Sequence, residues 1–87
     1  WTTCSAGCGC AVNAYGPQLH TCGSSGGSGV AVSLHAAPIA LTEDTGGSTR
    51  CPAASNGNFG YDTYQNKFNY PSDGNIGKPN TSDMFAL

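Results

Sequence analysis

Charged residues are scarce. Asp, Glu, Lys and Arg make up 9% of the 87 residues, and the net charge is −2. Three cations, Arg50, Lys67 and Lys78, are too few to neutralise a phosphate backbone, which argues against nucleic acid as a partner. No apolar run approaches the roughly 20 residues that a bilayer crossing needs, and no basic amphipathic face points to a membrane surface. Large apolar side chains are also few: Leu, Ile, Val and Phe together number 12. At about 25 cal/mol per Å², their burial hardly offsets a backbone entropy of about 1–2 kcal/mol per residue. Gly and Pro add 18 residues, and Gly loses the most freedom on folding. The low charge, however, speaks against disorder by self-repulsion. This composition suits one partial domain, residues 1–87, inside a larger protein in which other chains or segments complete the core.

Cysteine is comparatively plentiful, at positions 4, 8, 10, 22 and 51. Five is odd, so at least one thiol is free or pairs with another chain, and the compartment stays open. Trp1 is not an initiator residue, which implies that the start was removed or lies upstream. Asn80-Thr81-Ser82 matches a glycosylation sequon, a pattern short enough to arise by chance.

Three stretches emerge from composition. Residues 1–22 form a Cys-, Gly- and Thr-rich lead-in without a clear period, broken by a turn at Gly16-Pro17. Residues 23–54 hold the chemistry. They open on a Gly/Ser loop, GSSGGSG, and continue into the small apolar run VAVSLHAA over residues 30–37. At this length, periodicity does not separate a buried helix from a buried strand. A helix is favoured, with Ser28 as an N-cap candidate and Pro38 closing it. Ile39–Thr42 reads as a short buried strand, Glu43–Gly47 as a tight loop, and a second short helix begins near Ser48 and fails at Pro52. Residues 55–87 are a loop-rich tail dominated by turn signals. Its Phe59, Tyr61, Tyr64, Phe68 and Tyr70 are candidates to dock it onto a neighbour.

Within residues 23–54, DTGGS reads as a strand-to-helix turn with Ser48 at its tip. Gly46 and Gly47 permit backbone conformations closed to other residues. Successive N–H groups in such a turn form a nest for an anion, which is what an oxyanion hole requires. The first loop brings further hydroxyls at Ser24 and Ser25.

The stretch from Gly23 to Ala53 resembles the signature of the amidase-signature family of serine amide hydrolases. The match comprises GSSGGSG, a small-residue helix, a strand, and then DTGGS, one residue, Arg, one residue, Pro. Ser24 and Ser48 are 24 positions apart, as in that family. The resemblance implies an α/β fold, a strip of the family's α/β/α architecture around a mixed sheet. It implies Ser48 as nucleophile and Ser24 as the relay serine behind a cis peptide bond. It also implies an oxyanion hole from the N–H groups of Thr45, Gly46, Gly47 and Ser48. Ser25, Ser28, Asp44 and Arg50 become structural supports. The third member of the family's triad is a lysine upstream of the Gly/Ser loop. Lys67 and Lys78 lie downstream of Ser48 and do not match it. Residues 1–22 carry little of the resemblance, the strip after Asn56 carries it loosely, and Thr49 and Cys51 replace larger apolar neighbours of the arginine.

Other chemistries fit less well. Cys4, Cys8 and Cys10 are spaced C-x3-C-x-C, unlike the paired C-x2-C of common zinc sites, even with Cys22 or His20 as a fourth ligand; no metal or cofactor is expected. His20 and His35 are potential bases, but no GxSxG elbow is present. No GK[ST] follows the glycines, so a phosphate loop is not indicated. Asp62, Asp73 and Asp83 read as turn formers. The expected function is that of a fragment of an amide hydrolase, inactive as an isolated chain for want of its lysine. The alternative is a non-catalytic pseudoenzyme serving as a structural subunit of a larger assembly.

Overall fold

The computed structural model describes residues 2–61 and 82–86. Its elements, in chain order, are β1 (Cys4–Ser5), β2 (Gly9–Cys10), α1 (Gly26–Ser33), β3 (Ile39–Glu43), α2 (Arg50–Ser55), β4 (Phe59–Tyr61) and β5 (Ser82–Ala86). The mixed content agrees with the α/β class. β1 and β2 pair antiparallel as a small hairpin. The other three strands form a sheet of order β3-β5-β4, with β5 antiparallel to both neighbours.

Strand alternation decides where the helices sit. Along β3, Ile39, Leu41 and Glu43 are exposed, whereas Ala40 and Thr42 are half-buried. Ala40 packs on Val32 of α1 and Ala53 of α2, which are fully or almost fully buried. The register puts Ile39 and Phe59 opposite Ala86, and Leu41 and Tyr61 opposite Met84. Both helices thus cover the Ala40 side, α1 against β3 and α2 against β4. Ile39, Leu41, Phe59 and Tyr61 remain exposed. The strand expected to be buried is therefore only half-buried. Phe59 and Tyr61 of the aromatic set stand open, while Tyr64, Phe68 and Tyr70 lie outside the described residues.

The buried apolar cluster of the described residues is small, Val32 and Ala53, and polar side chains do much of the joining. Asn13, Thr21, Asp44, Thr49 and Asn56 are all buried. A buried amide is costly unless hydrogen-bonded, and most of these polar atoms are satisfied, Asn56 Oδ1 being an exception among the described residues. Asn13 Nδ2 donates to the carbonyls of His20 at 3.0 Å and Ser55 at 2.8 Å, and its Oδ1 accepts the Tyr15 N–H at 2.9 Å. Asn56 Nδ2 donates to the carbonyls of Thr21 at 3.1 Å and Pro52 at 2.8 Å. Asn58 Nδ2 reaches the Gly29 carbonyl at 2.7 Å. These bonds tie α2 and residues 56–58 to the lead-in and to α1.

Several boundaries differ from expectation. α1 starts at Gly26, inside the Gly/Ser loop, and is over by Leu34; His35 comes next at φ 55°, so the turn after Ser33, not Pro38, ends it. Ser28 is consequently a helix-interior residue and not the N-cap. The N-cap is Ser25, whose side chain makes no capping bond. The Gly26 N–H is instead accepted by Thr3 Oγ1 at 3.2 Å, which satisfies one of the donors a helix start leaves open. α2 runs through Pro52, which is its third residue. A proline there costs nothing in hydrogen bonding, because first-turn N–H groups have no intrahelical acceptor. Within the tail, residues 59–61 and 82–86 are strands; residues 62–81 lie outside the described residues.

Candidate active site

Two loops meet at the end of the helical layer. The first is the approach to α1, residues 22–25. The second is the turn between β3 and α2, residues 44–49. They touch through the backbone: the Ser25 N–H donates to the Ser48 carbonyl at 3.3 Å. Ser48 is half-buried, and Ser24, beside the contact, is exposed. The peptide bond between Gly23 and Ser24 is cis.

The second loop is organised by one carboxylate. Asp44 is 4% exposed. Its Oδ1 accepts the N–H of Gly47 and Nη2 of Arg50, the latter at 3.1 Å. Its Oδ2 accepts the N–H of Thr49 at 3.3 Å, the N–H of Arg50 at 3.2 Å and Nε of Arg50 at 2.8 Å. The two-pronged Arg50 contact is the geometry that suits a planar guanidinium to a carboxylate. Arg50 holds the Asp44 carboxyl well below the usual carboxylate range. Burial pushes the other way and loses, because the N–H groups of Gly47, Arg50 and Thr49 add to the pull. The loop is closed by Gly47 at φ 110°, a conformation an L side chain rarely adopts, and by Thr42 Oγ1, 2.6 Å from Thr49 Oγ1.

This arrangement bears on the expected oxyanion donors. The Gly47 N–H is engaged by Asp44. Among the described residues, no hydrogen bond is seen from the N–H groups of Thr45, Gly46 or Ser48. Thr45 and Gly46 are exposed.

The first loop is held by residues that no sequence motif marks. Thr3 Oγ1 lies 3.0 Å from the Cys22 carbonyl and 3.2 Å from the Ser24 carbonyl, and can donate to either. Thr21 Oγ1 donates to the Cys22 carbonyl at 3.2 Å and accepts the Thr3 N–H at 3.3 Å. Cys22 has φ 58°, unusual for a residue with a Cβ and worth about 1–2 kcal/mol of strain that these contacts must hold. A disulfide joins Cys22 to Cys51 of α2, and a second joins Cys4 to Cys10 across the hairpin. Cys8 is the free, exposed thiol. Nothing in the spacing of five cysteines singles out these pairs. Among the described residues, no group of three or more His, Cys, Asp or Glu is placed to hold a metal ion, and no helix is long and apolar enough to cross a membrane.

The model of the amidase family matches residues 1–72, and the chain belongs to that family. The match includes residues 1–22, which carry little of the motif resemblance. The chain is similar to a protein of Fusarium vanettenii named as a subunit of mitochondrial glutamyl-tRNA(Gln) amidotransferase, 64% identical over 39 residues, which are 45% of this chain and 8% of that protein. It is similar to the corresponding glutamyl-tRNA(Gln) amidotransferase subunit of Thermus thermophilus, 50% identical over 48 residues, 55% of this chain and 10% of that protein. A protein named as an amidase from Schizosaccharomyces pombe is 44% identical over 52 residues, 60% of this chain and 10% of its own length. The chain thus spans about a tenth of the length of these relatives. No solved structure matches it.

Proposed function

We propose that this chain is the nucleophile-bearing strip of a serine amide hydrolase and that residues 1–87 are one partial domain of the amidase-signature α/β/α fold. Ser48 Oγ adds to an amide carbonyl, the C–N bond breaks, the amine leaves with a proton, and water then releases the acid from the acyl-serine. Ser24 relays the Ser48 proton to a neutral lysine. That lysine lies outside residues 1–87, because neither Lys67 nor Lys78 stands at the family's position. The N–H groups of Thr45, Gly46 and Ser48 face the developing oxyanion, and Asp44 holds the Gly47 end of the turn. The observation that carries the reading is the Ser25-to-Ser48 backbone bond, which joins the two signature loops beside both serines.

The test is labelling of the native protein with a fluorophosphonate probe and then mass mapping. Label on Ser48, lost in Ser48→Ala, is the expected result. Label elsewhere, or none in the native protein, overturns it. The second reading, a non-catalytic subunit, draws on the exposed Ile39, Leu41, Phe59 and Tyr61. Those side chains call for further protein against the sheet, and two of the relatives above are named as subunits. An unlabelled Ser48 within a stable complex favours that alternative.

A further inference from the structure

The two halves of the site are each held from within. Thr3 and Thr21 hold residues 22–26 through Oγ contacts to Cys22, Ser24 and Gly26. Asp44 holds residues 47–50. Each of these contacts holds its own loop. Close to the serines, the tie across is the Ser25–Ser48 bond at 3.3 Å, long for an N–H to carbonyl contact. Further back, Asn56 Nδ2 reaches the Thr21 carbonyl. The covalent tie is the disulfide. Cys22 immediately precedes Gly23-Ser24, and Cys51 lies one helical turn beyond Ser48, its N–H donating to the Gly47 carbonyl at 2.8 Å. The disulfide spans 29 positions, with Cα atoms 5.8 Å apart, and encloses both serines.

We infer that Cys22–Cys51 is a positioning disulfide that sets the register of Ser24 against Ser48, so that the reactivity of Ser48 depends on its oxidation state. The catalytic consequence rests on the acyl-transfer reading above; the positional one does not. Cys51 is exposed and Cys22 is buried. A dithiol therefore attacks the Cys51 sulfur first, forming a mixed disulfide and releasing Cys22 as a thiolate. Its second thiol then displaces Cys51, so the dithiol leaves oxidised and both cysteines are left reduced. With the covalent tie gone, one long hydrogen bond joins the loops beside the serines, while Asn13, Ser33, Asn56, Asn58 and the Val32–Ala53 packing hold the segments further back. A displacement of the order of 1 Å at the loops is enough to slow a positioned reaction strongly.

The test uses the intact native protein. Non-reducing peptide mapping reads the Cys22–Cys51 link. Hydrogen exchange at the Ser25 amide and the rate of fluorophosphonate labelling at Ser48 are then followed as a dithiol buffer is made more reducing. The expected result is that exchange at Ser25 rises, and labelling falls, by about tenfold or more at the potential where the link opens. Reoxidation restores both. A Cys4→Ala/Cys10→Ala variant behaves as wild type, whereas Cys22→Ser/Cys51→Ser is slow and indifferent to the buffer. Absence of the link, or unchanged exchange and labelling once it is open, overturns the inference. If Ser25 exchange responds but Ser48 is never labelled, the positioning stands and the acyl-transfer reading falls.

Discussion

The backbone N–H of Ser25 donates to the carbonyl of Ser48 at 3.3 Å, across 23 positions of sequence. This contact brings together two glycine-rich loops that local rules alone would leave independent. A helix start offers free N–H groups, and a strand-to-helix turn offers free carbonyls. The pairing sets the backbone of Ser48 beside Ser25, the residue that follows the exposed Ser24.

On the acyl-transfer reading proposed above, the base comes from outside residues 1–87. The isolated 87-residue chain is therefore expected to resist a fluorophosphonate probe, because rapid acylation of serine needs a base as well as an oxyanion hole. Mass mapping after incubation with the purified chain checks this. Label on Ser48 that disappears in Ser48→Ala contradicts the claim that the base comes from elsewhere.

Asp44 is the most heavily used side chain of the site, and its removal strands several partners at once. Asp44→Ala leaves the N–H groups of Gly47, Thr49 and Arg50 without their acceptor and the Arg50 charge without its partner. The Arg50 side chain is 60% exposed, so the ion pair itself adds little, and the main cost is the stranded N–H groups, about 1–3 kcal/mol for each buried one. Denaturant unfolding of the native protein is expected to show a loss of that order, with labelling at Ser48 abolished. A loss under about 1 kcal/mol contradicts the central place given to this carboxylate.

The same carboxylate gives a pH dependence. Its folded pKa is depressed, with Arg50 as the main cause, so folded Asp44 stays ionised where an unfolded aspartate takes up a proton. Its contribution is complete above the unfolded value of about 4 and is lost progressively as pH falls below it. Unfolding free energies measured from pH 6 downward to about pH 3 are expected to fall less steeply in Asp44→Asn than in wild type. Identical slopes rule out this source of acid sensitivity.

The legible part of the molecule was the part in which residue type and backbone geometry are tightly coupled. The glycines at 46 and 47 announced a turn, and a turn is there. The extent of α1 was not legible, because Gly26, Gly27 and Gly29 are poor helix formers and read as loop. Thr3, from a segment 23 positions earlier, accepts the Gly26 N–H and supports the helix start, a tertiary contact that local propensity does not carry. The central strand β5 was also missed, since its pairing with β3 and β4 is set by the sheet and not by the turn-rich sequence around it. Disulfide partners likewise depend on tertiary proximity, which spacing does not carry.

Gly26 and Gly27 give the sharpest local test, because they are neighbours in one helix with opposite surroundings. A Cβ on Gly26 would lie 2.6 Å from Thr3 Oγ1 and 2.9 Å from Thr21 Oγ1, whereas one on Gly27 meets nothing within 4 Å. Helix propensity favours alanine by about 1 kcal/mol at both positions. At Gly27 that gain stands alone, so Gly27→Ala is expected to stabilise by up to about 1 kcal/mol. At Gly26 it is outweighed by overpacking of about 1–3 kcal/mol, and the displaced Thr3 hydroxyl also releases its contacts to the carbonyls of Cys22 and Ser24. Gly26→Ala is therefore expected to destabilise and to slow labelling of Ser48, while Gly27→Ala leaves labelling unchanged. Thermal unfolding and probe kinetics on both variants of the native protein read the contrast. Equal effects in the two would mean that Thr3 does not pack against the start of α1 as described.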